Sequence, residues 1–180
     1  MALIAGPDRT RLLVLAREAL VARVRRALRP RVPADLDMPT AGVFVSLHRE
    51  SELRGCLGTL DGGERLGEAV VRLAGDVAHH DYRFDPIRID ELDRVVIDLS
   101  VLSLPVIVCD PQEVMVGRDG LIIEHGHHKG LLLPQVAPEH GWDRETFLCH
   151  TCLKAGLPAD AWRNGATVLR FEAEVFGERE

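Results

Sequence analysis

A chain of 180 residues with 46% apolar and 28% charged side chains is long enough for one substantial core, or for a larger and a smaller lobe, and has the balance of a soluble globular protein. The net charge of −6, from 22 basic and 28 acidic residues, argues against nucleic acid as the main partner, since backbone binding needs a basic surface. No apolar run approaches the ~20 residues of a membrane span, so no membrane role is expected.

Pro7 to Leu28 reads as an amphipathic helix. Leu12, Leu15, Ala16, Ala19, Leu20, Val24 and Leu28 recur at three- and four-residue spacing, with Asp8 as cap and Pro30 as terminator. The helix carries Arg9, Arg11, Arg17, Arg25 and Arg26 mostly off that stripe, as a solvated face. After a proline-rich connector, Gly42–Arg49 reads as a strand, with Val43, Val45 and Leu47 on one face and Phe44, Ser46 and His48 on the other. Glu50-Ser51-Glu52 turns the chain into Leu53-Arg54-Gly55-Cys56-Leu57-Gly58-Thr59-Leu60, and Asp61-Gly62-Gly63 stops this second strand of a hairpin. A second amphipathic helix carries Leu66, Ala69, Val70, Leu73 and Val77. It leads into the polar loop from His79 to Pro86, and Ile89–Leu92 is a short turn.

Arg94 to Leu104 alternates as a strand, with Val95, Ile97, Leu99 and Val101 on one face and Asp98 and Ser100 sharing the other. A helical turn at Asp110–Val114, a turn at Gly117–Gly120, a short strand at Leu121–Glu124 and a tip at His125–Gly130 follow. The last helix starts after Asp143 as N-cap and ends near Ala155 with Gly156 at C′. A closing strand spans Val168 to Phe176, with Leu169, Phe171, Ala173 and Val175 on one face. Hairpins mixed with helices, without regular βαβ alternation, predict an α+β fold with a mixed or antiparallel sheet.

The cysteine stretch is the strongest site signal. Glycine inside a strand marks a bulge, a bend or a close backbone approach, and Gly55 and Gly58 bracket the Cys56 thiol. Two readings stand: a small buried cysteine in a hairpin, or a thiol placed where a ligand comes near. Arg54 can grip an anion bidentately, as can Arg83. For Asp81, Arg83 and Glu91, a ligand-facing role and a structural salt bridge (Asp81 to Arg83, or Glu91 to an arginine) are equally compatible with the sequence. Cys149-His150-Thr151-Cys152 lies within a helix rather than at its N-terminus and has no second ligand pair, so core packing of Cys152 accounts for it better than zinc or redox duty. His125, His127 and His128 read as a solvated tip. Neither metal nor cofactor is expected. Four cysteines without a secretory leader predict reduced thiols in the cytoplasm.

Phe44-Val45-Ser46-Leu47 followed by Leu53-Arg54-Gly55-Cys56-Leu57-Gly58-Thr59-Leu60 resembles the signature of the AMMECR family, Leu-Arg-Gly-Cys-Ile-Gly, with Leu57 as a conservative change. Asp81-Tyr82-Arg83-Phe84-Asp85-Pro86 is similar to the family's Asp-x-Arg-Phe-x-Pro. Asp90-Glu91-Leu92, Ser100-Val101-Leu102, Gly120-Leu121, Leu132-Leu133-Pro134-Gln135-Val136-Ala137, Trp142, Lys154-Ala155-Gly156-Leu157 and Trp162 follow in family order. The resemblance implies one two-lobed α+β domain over residues 7–176, in which both chain ends form the larger lobe and a smaller lobe is inserted, around a cleft lined by Arg54, Gly55, Cys56 and Gly58. Asp81, Arg83, Glu91 and Ser100 are carried over with them. It further implies association, by gene neighbourhood and fusion, with a MEMO-like protein and a radical S-adenosylmethionine protein. Two functions fit: an accessory component binding a small molecule or partner, or an enzyme using Cys56 as nucleophile on an anionic substrate, with Asp81, Glu91 or His48 in proton transfer.

Overall fold

The computed structural model describes residues 3–60 and 63–179 as an α+β protein whose strand pairings, among the described residues, are all antiparallel. The chain divides into two compact units. One comprises the chain up to Leu102 together with the segment from Glu174 onward, and the other is Ser103–Ala173.

In the first unit, α1 (Gly6–Val24) and α2 (Leu66–His80) pack on a sheet of β1 (Gly42–Arg49), β2 (Glu52–Thr59) and β3 (Val95–Leu102), ordered β2-β1-β3. The alternation of β1 and β3 decides which face meets the helices. Val43, Val45 and Leu47, with Val95, Ile97, Leu99 and Val101, bury against Leu12, Ala16 and Leu20 of α1 and Ala69, Val70 and Leu73 of α2. Glu50 and Ser51 form a two-residue hairpin loop, both at positive φ (51° and 71°), the twist that matches paired strands. Past the loop the register shifts: Leu47 faces Gly55 and His48 faces Leu53, which leaves Arg54 in a β-bulge. The Asp61-Gly62 part of the expected strand stop lies outside the described residues.

Two expectations for α1 are corrected. The N-cap is Ala5 rather than Asp8, whose carboxylate lies in the first turn, favourable to the helix dipole. The helix ends at Val24, well before Pro30. Arg26 adopts φ 56°, and the Ala27 N–H donates to the Ala22 carbonyl at 2.8 Å, closing the helix in a Schellman motif. Leu28 therefore leaves the apolar stripe and is exposed.

In the second unit, β4 (Val106–Ile107), β5 (Asp119–His125), β6 (His128–Leu132) and part of β7 (Thr167–Gly177) are ordered β6-β5-β7, with β4 on the other side of β7. The short α3 (Val136–His140) is followed by α4 (Arg144–Lys154). Asp143 caps α4, accepting the Thr146 N–H at 2.8 Å, and Gly156 takes the left-handed C′ conformation (φ 74°), both as the sequence indicates. Cys152 is fully buried with Phe147 and Leu148. The strands start earlier than expected around the histidines, so only Gly126 and His127 form the tip.

The strict alternation expected of β7 fails. Phe171 is buried as anticipated, yet Phe176 is buried and Val175 exposed. The strand changes unit at Ala173/Glu174, and its final turn of sequence fills the core of the first unit, where Phe176 joins the α1–α2 cluster. No helix among the described residues is long and apolar enough to cross a membrane.

Candidate functional site

The register of β2-β1-β3 gathers a polar row on the face turned away from α1 and α2. Ser46 stands between Cys56 on one neighbour and Asp98 on the other. The Ser46 hydroxyl donates to Cys56 Sγ at 3.3 Å. His48, two residues along β1, sets Nδ1 2.8 Å from Asp98 Oδ2, at ion-pair distance though outside hydrogen-bond alignment. All four side chains are half-buried. Phe44 and Ser100 continue the same face, opposite each other.

The glycines act differently from the sequence expectation of ligand approach. A Cβ on Gly58 would fall 2.0 Å from Phe44 Cδ1, so the aromatic ring occupies that space. A Cβ on Gly55 would lie 3.1 Å from Val77 Cγ2, on the side of α2. Both close approaches are therefore made by the protein's own side chains: Gly58 makes room for the Phe44 ring, and Gly55 lets the strand settle on α2.

The peptide group of Cys56 is gripped from the end of α2. Its N–H donates to Asp81 Oδ2 at 2.8 Å, and its carbonyl accepts from Arg83 Nη2 at 3.3 Å. Asp81 is nearly fully buried and also accepts from Arg83 Nε at 2.9 Å, Nη2 at 2.7 Å and the Arg83 N–H at 3.2 Å. The Arg83 guanidinium holds the Asp81 carboxyl well below the usual carboxylate range, assisted by the two N–H donors and opposed by burial.

A second carboxylate organises the bulge. Burial pushes the Glu91 carboxyl up, but Arg54, the Arg88 N–H and Arg49 outweigh it and the net shift is downward. Arg54 donates Nε to Oε1 and Nη2 to Oε2, both at 3.1 Å, with Nη1 on the Asp85 carbonyl at 2.9 Å. Arg49 and the Arg88 N–H complete the set at 2.9 and 3.0 Å. For both acids the salt-bridge alternative is the arrangement observed. Arg54 is committed to Glu91 rather than held free for a ligand.

Around these pairs lies a concavity of about 470 Å³ whose lining includes Arg49, Arg54, Arg83 and Arg88, with Phe84 and Glu91. The guanidinium of Arg88 extends to the surface, where it pairs with the exposed Asp90 at 3.0 Å. The structure thus brings Arg54, Arg83 and Glu91 to one concavity and ties Asp81 to Cys56, while Ser100 lies on the thiol face. Arg49, Arg88, Ser46 and Asp98 were not singled out as site residues. Ser46 and Asp98 could have been found from strand alternation, which places each on the polar face. Cys149 and Cys152 lie in α4 of the second unit, as do His125, His127 and His128 in its β5–β6 hairpin. Among the described residues no group of three His, Cys, Asp or Glu is arranged to hold a metal.

The profile of the AMMECR1 family matches residues 13–176. Protein MJ0810 of Methanocaldococcus jannaschii is 46% identical over 148 residues, covering 77% of this chain and 74% of that protein. A protein of Methanothermobacter thermautotrophicus is 43% identical over 186 residues, covering 95% of each. The crystal structure of the uncharacterized protein PH0010 from Pyrococcus horikoshii superposes with a TM-score of 0.76 at 39% identity, covering 97% of this chain and 93% of that one. With a profile match over most of its length and relatives this similar along nearly the whole chain, the protein belongs to the AMMECR1 family.

Proposed function

We propose that this protein is a cytoplasmic accessory component that binds a small anionic molecule beside the Leu53–Gly58 stretch and works with MEMO-like and radical S-adenosylmethionine proteins in a modification pathway. The partners rest on the family resemblance. The observation that carries ligand binding is the arginine-rich concavity built on a braced bulge. Its scaffold is braced by the Arg54–Glu91, Arg49–Glu91 and Asp81–Arg83 pairs, while Arg88 reaches the surface on the exposed Asp90, a contact that a ligand anion can replace. Preorganised donors on a rigid strand are what selective anion binding needs.

The second reading, a cysteine-dependent enzyme, draws on the Ser46–Cys56 contact and the His48–Asp98 pair on the same sheet face. In that case Cys56 Sγ adds to a carbonyl carbon of an anionic substrate, the C=O π pair moves onto the oxygen, and the thiol proton is released to a base, with Asp81, Glu91 or His48 as the candidates. The contact made by the thiol is to a hydroxyl, so the accessory reading ranks first.

The test is native purification of tagged protein from cells containing both partner types, followed by native mass spectrometry for a retained small molecule. Under the accessory reading Cys56→Ser keeps ligand and partners, whereas Arg49→Gln with Arg88→Gln loses the ligand. Recovery of neither ligand nor partner, together with a turnover abolished in folded Cys56→Ser, would replace it by the enzyme reading.

A further inference from the structure

We propose that the C-terminal ends of α1 and α2 form a separate binding site for a small phosphorylated molecule, with Arg23, Arg26 and His79 as the phosphate-binding groups. These three side chains, with Ala22 and Ala27, line a concavity of about 380 Å³. Every polar side chain of the lining is a nitrogen donor. Two guanidiniums and an imidazole N–H are suited to a phosphate dianion, which takes paired planar donors.

Arg26 supplies an independent observation. It occupies the C′ position of the Schellman motif at φ 56°, where a Cβ is disfavoured and glycine is the common residue. Backbone N–H groups already serve three of the helix-end carbonyls, with Arg25, Arg26 and Ala27 donating to Val21, Arg23 and Ala22. The guanidinium of Arg26 is thus not needed to close the helix, and its place in an unfavourable conformation calls for another use.

The charge around the site is also unbalanced. Elsewhere on α1, Arg9, Arg11 and Arg17 pair with Glu174, Asp35 and Glu178. Among the described residues Arg23 and Arg26 pair with no carboxylate, and Arg23 Nη2 lies 3.4 Å from His80 Nε2 instead. Partial burial, then the charges of Arg23, His80 and Arg26, hold the His79 imidazole below its ordinary pKa. This positive focus stands on a chain of net charge −6. A continuous polyanion is disfavoured, because Asp76, 3.4 Å from the His80 that contacts Arg23, sets negative charge beside the site on a chain that is acidic overall. The occupant is therefore a small phosphate compound rather than a nucleic-acid backbone.

Isothermal titration with inorganic phosphate, pyrophosphate and ribose 5-phosphate, beside a single-stranded oligonucleotide, tests this on the full chain. At least one of the three small probes binds saturably, and Arg26→Gly and Arg23→Gln each weaken it roughly tenfold, the loss of one guanidinium contact. Arg26→Gly should hold or raise the melting temperature, which separates lost binding from lost folding. Neither residue lines the Cys56 site, so failure of the ligand proposed there leaves this result intact. Equal binding by both variants, no saturable binding of any small probe, or binding of the oligonucleotide alone would overturn the proposal.

Discussion

Asp81→Asn isolates the brace on the Cys56 peptide. The Asp81 side chain is 3% exposed and accepts from Cys56 N–H and from three Arg83 donors. An asparagine keeps one oxygen acceptor and turns its NH₂ toward donors, so either Cys56 N–H or the guanidinium loses its partner. Leaving a buried N–H unsatisfied costs about 1–3 kcal/mol. The guanidinium loss adds less, because Arg83 is 47% exposed and water can replace the carboxylate. The expected destabilisation is about 2–3 kcal/mol, read as a lower urea midpoint at unchanged m-value. Amide exchange at Cys56 should accelerate in parallel. The pH dependence gives a second check. Because the folded-state pKa of Asp81 is depressed, its contribution is fully present above the unfolded value of ~3.9 and is lost as pH falls below it. Wild type should therefore lose stability toward low pH more steeply than Asp81→Asn. A midpoint shift worth less than about 0.5 kcal/mol, the range of surface substitutions, would refute the brace.

Gly58→Ala should destabilise by about 1–3 kcal/mol by driving a Cβ into the Phe44 ring, and the penalty should shrink in the Gly58→Ala/Phe44→Ala double variant, a coupling measured by a thermodynamic cycle. Arg54→Lys should cost about 1–3 kcal/mol in chemical denaturation despite its retained charge, since lysine cannot span both Glu91 oxygens and the Asp85 carbonyl. In thiol labelling followed by peptide mass spectrometry, exposed Cys109 should react first. Cys152, fully buried and with its thiol pKa pushed up by that burial, should react only on unfolding. Labelling of Cys152 at the rate of Cys109 in native protein would contradict the packing of the second unit.

The sequence by itself determined what depends on neighbours a few residues away. The β1–β2 hairpin, the buried faces of β1 and β3, and the Asp143 and Gly156 ends of α4 follow from alternation, turn residues and caps. The family was legible from the motif set, whereas the glycines flanking Cys56, read as a sign of ligand approach, accommodate Phe44 and Val77. The end of α1 was not legible, because Arg26 adopts a left-handed conformation that glycine usually signals. The faces of β7 were not, because one strand serves two cores and alternation counts only one. The partners of Asp81 and Glu91 stayed open for the same kind of reason. Cys56 and Asp81 are 25 residues apart and Arg54 and Glu91 are 37 apart. Only the bulge at Arg54 and the packing of α2 bring them together. Bidentate pairing requires groups held within about 3 Å, and that precision comes from tertiary register rather than from residue type.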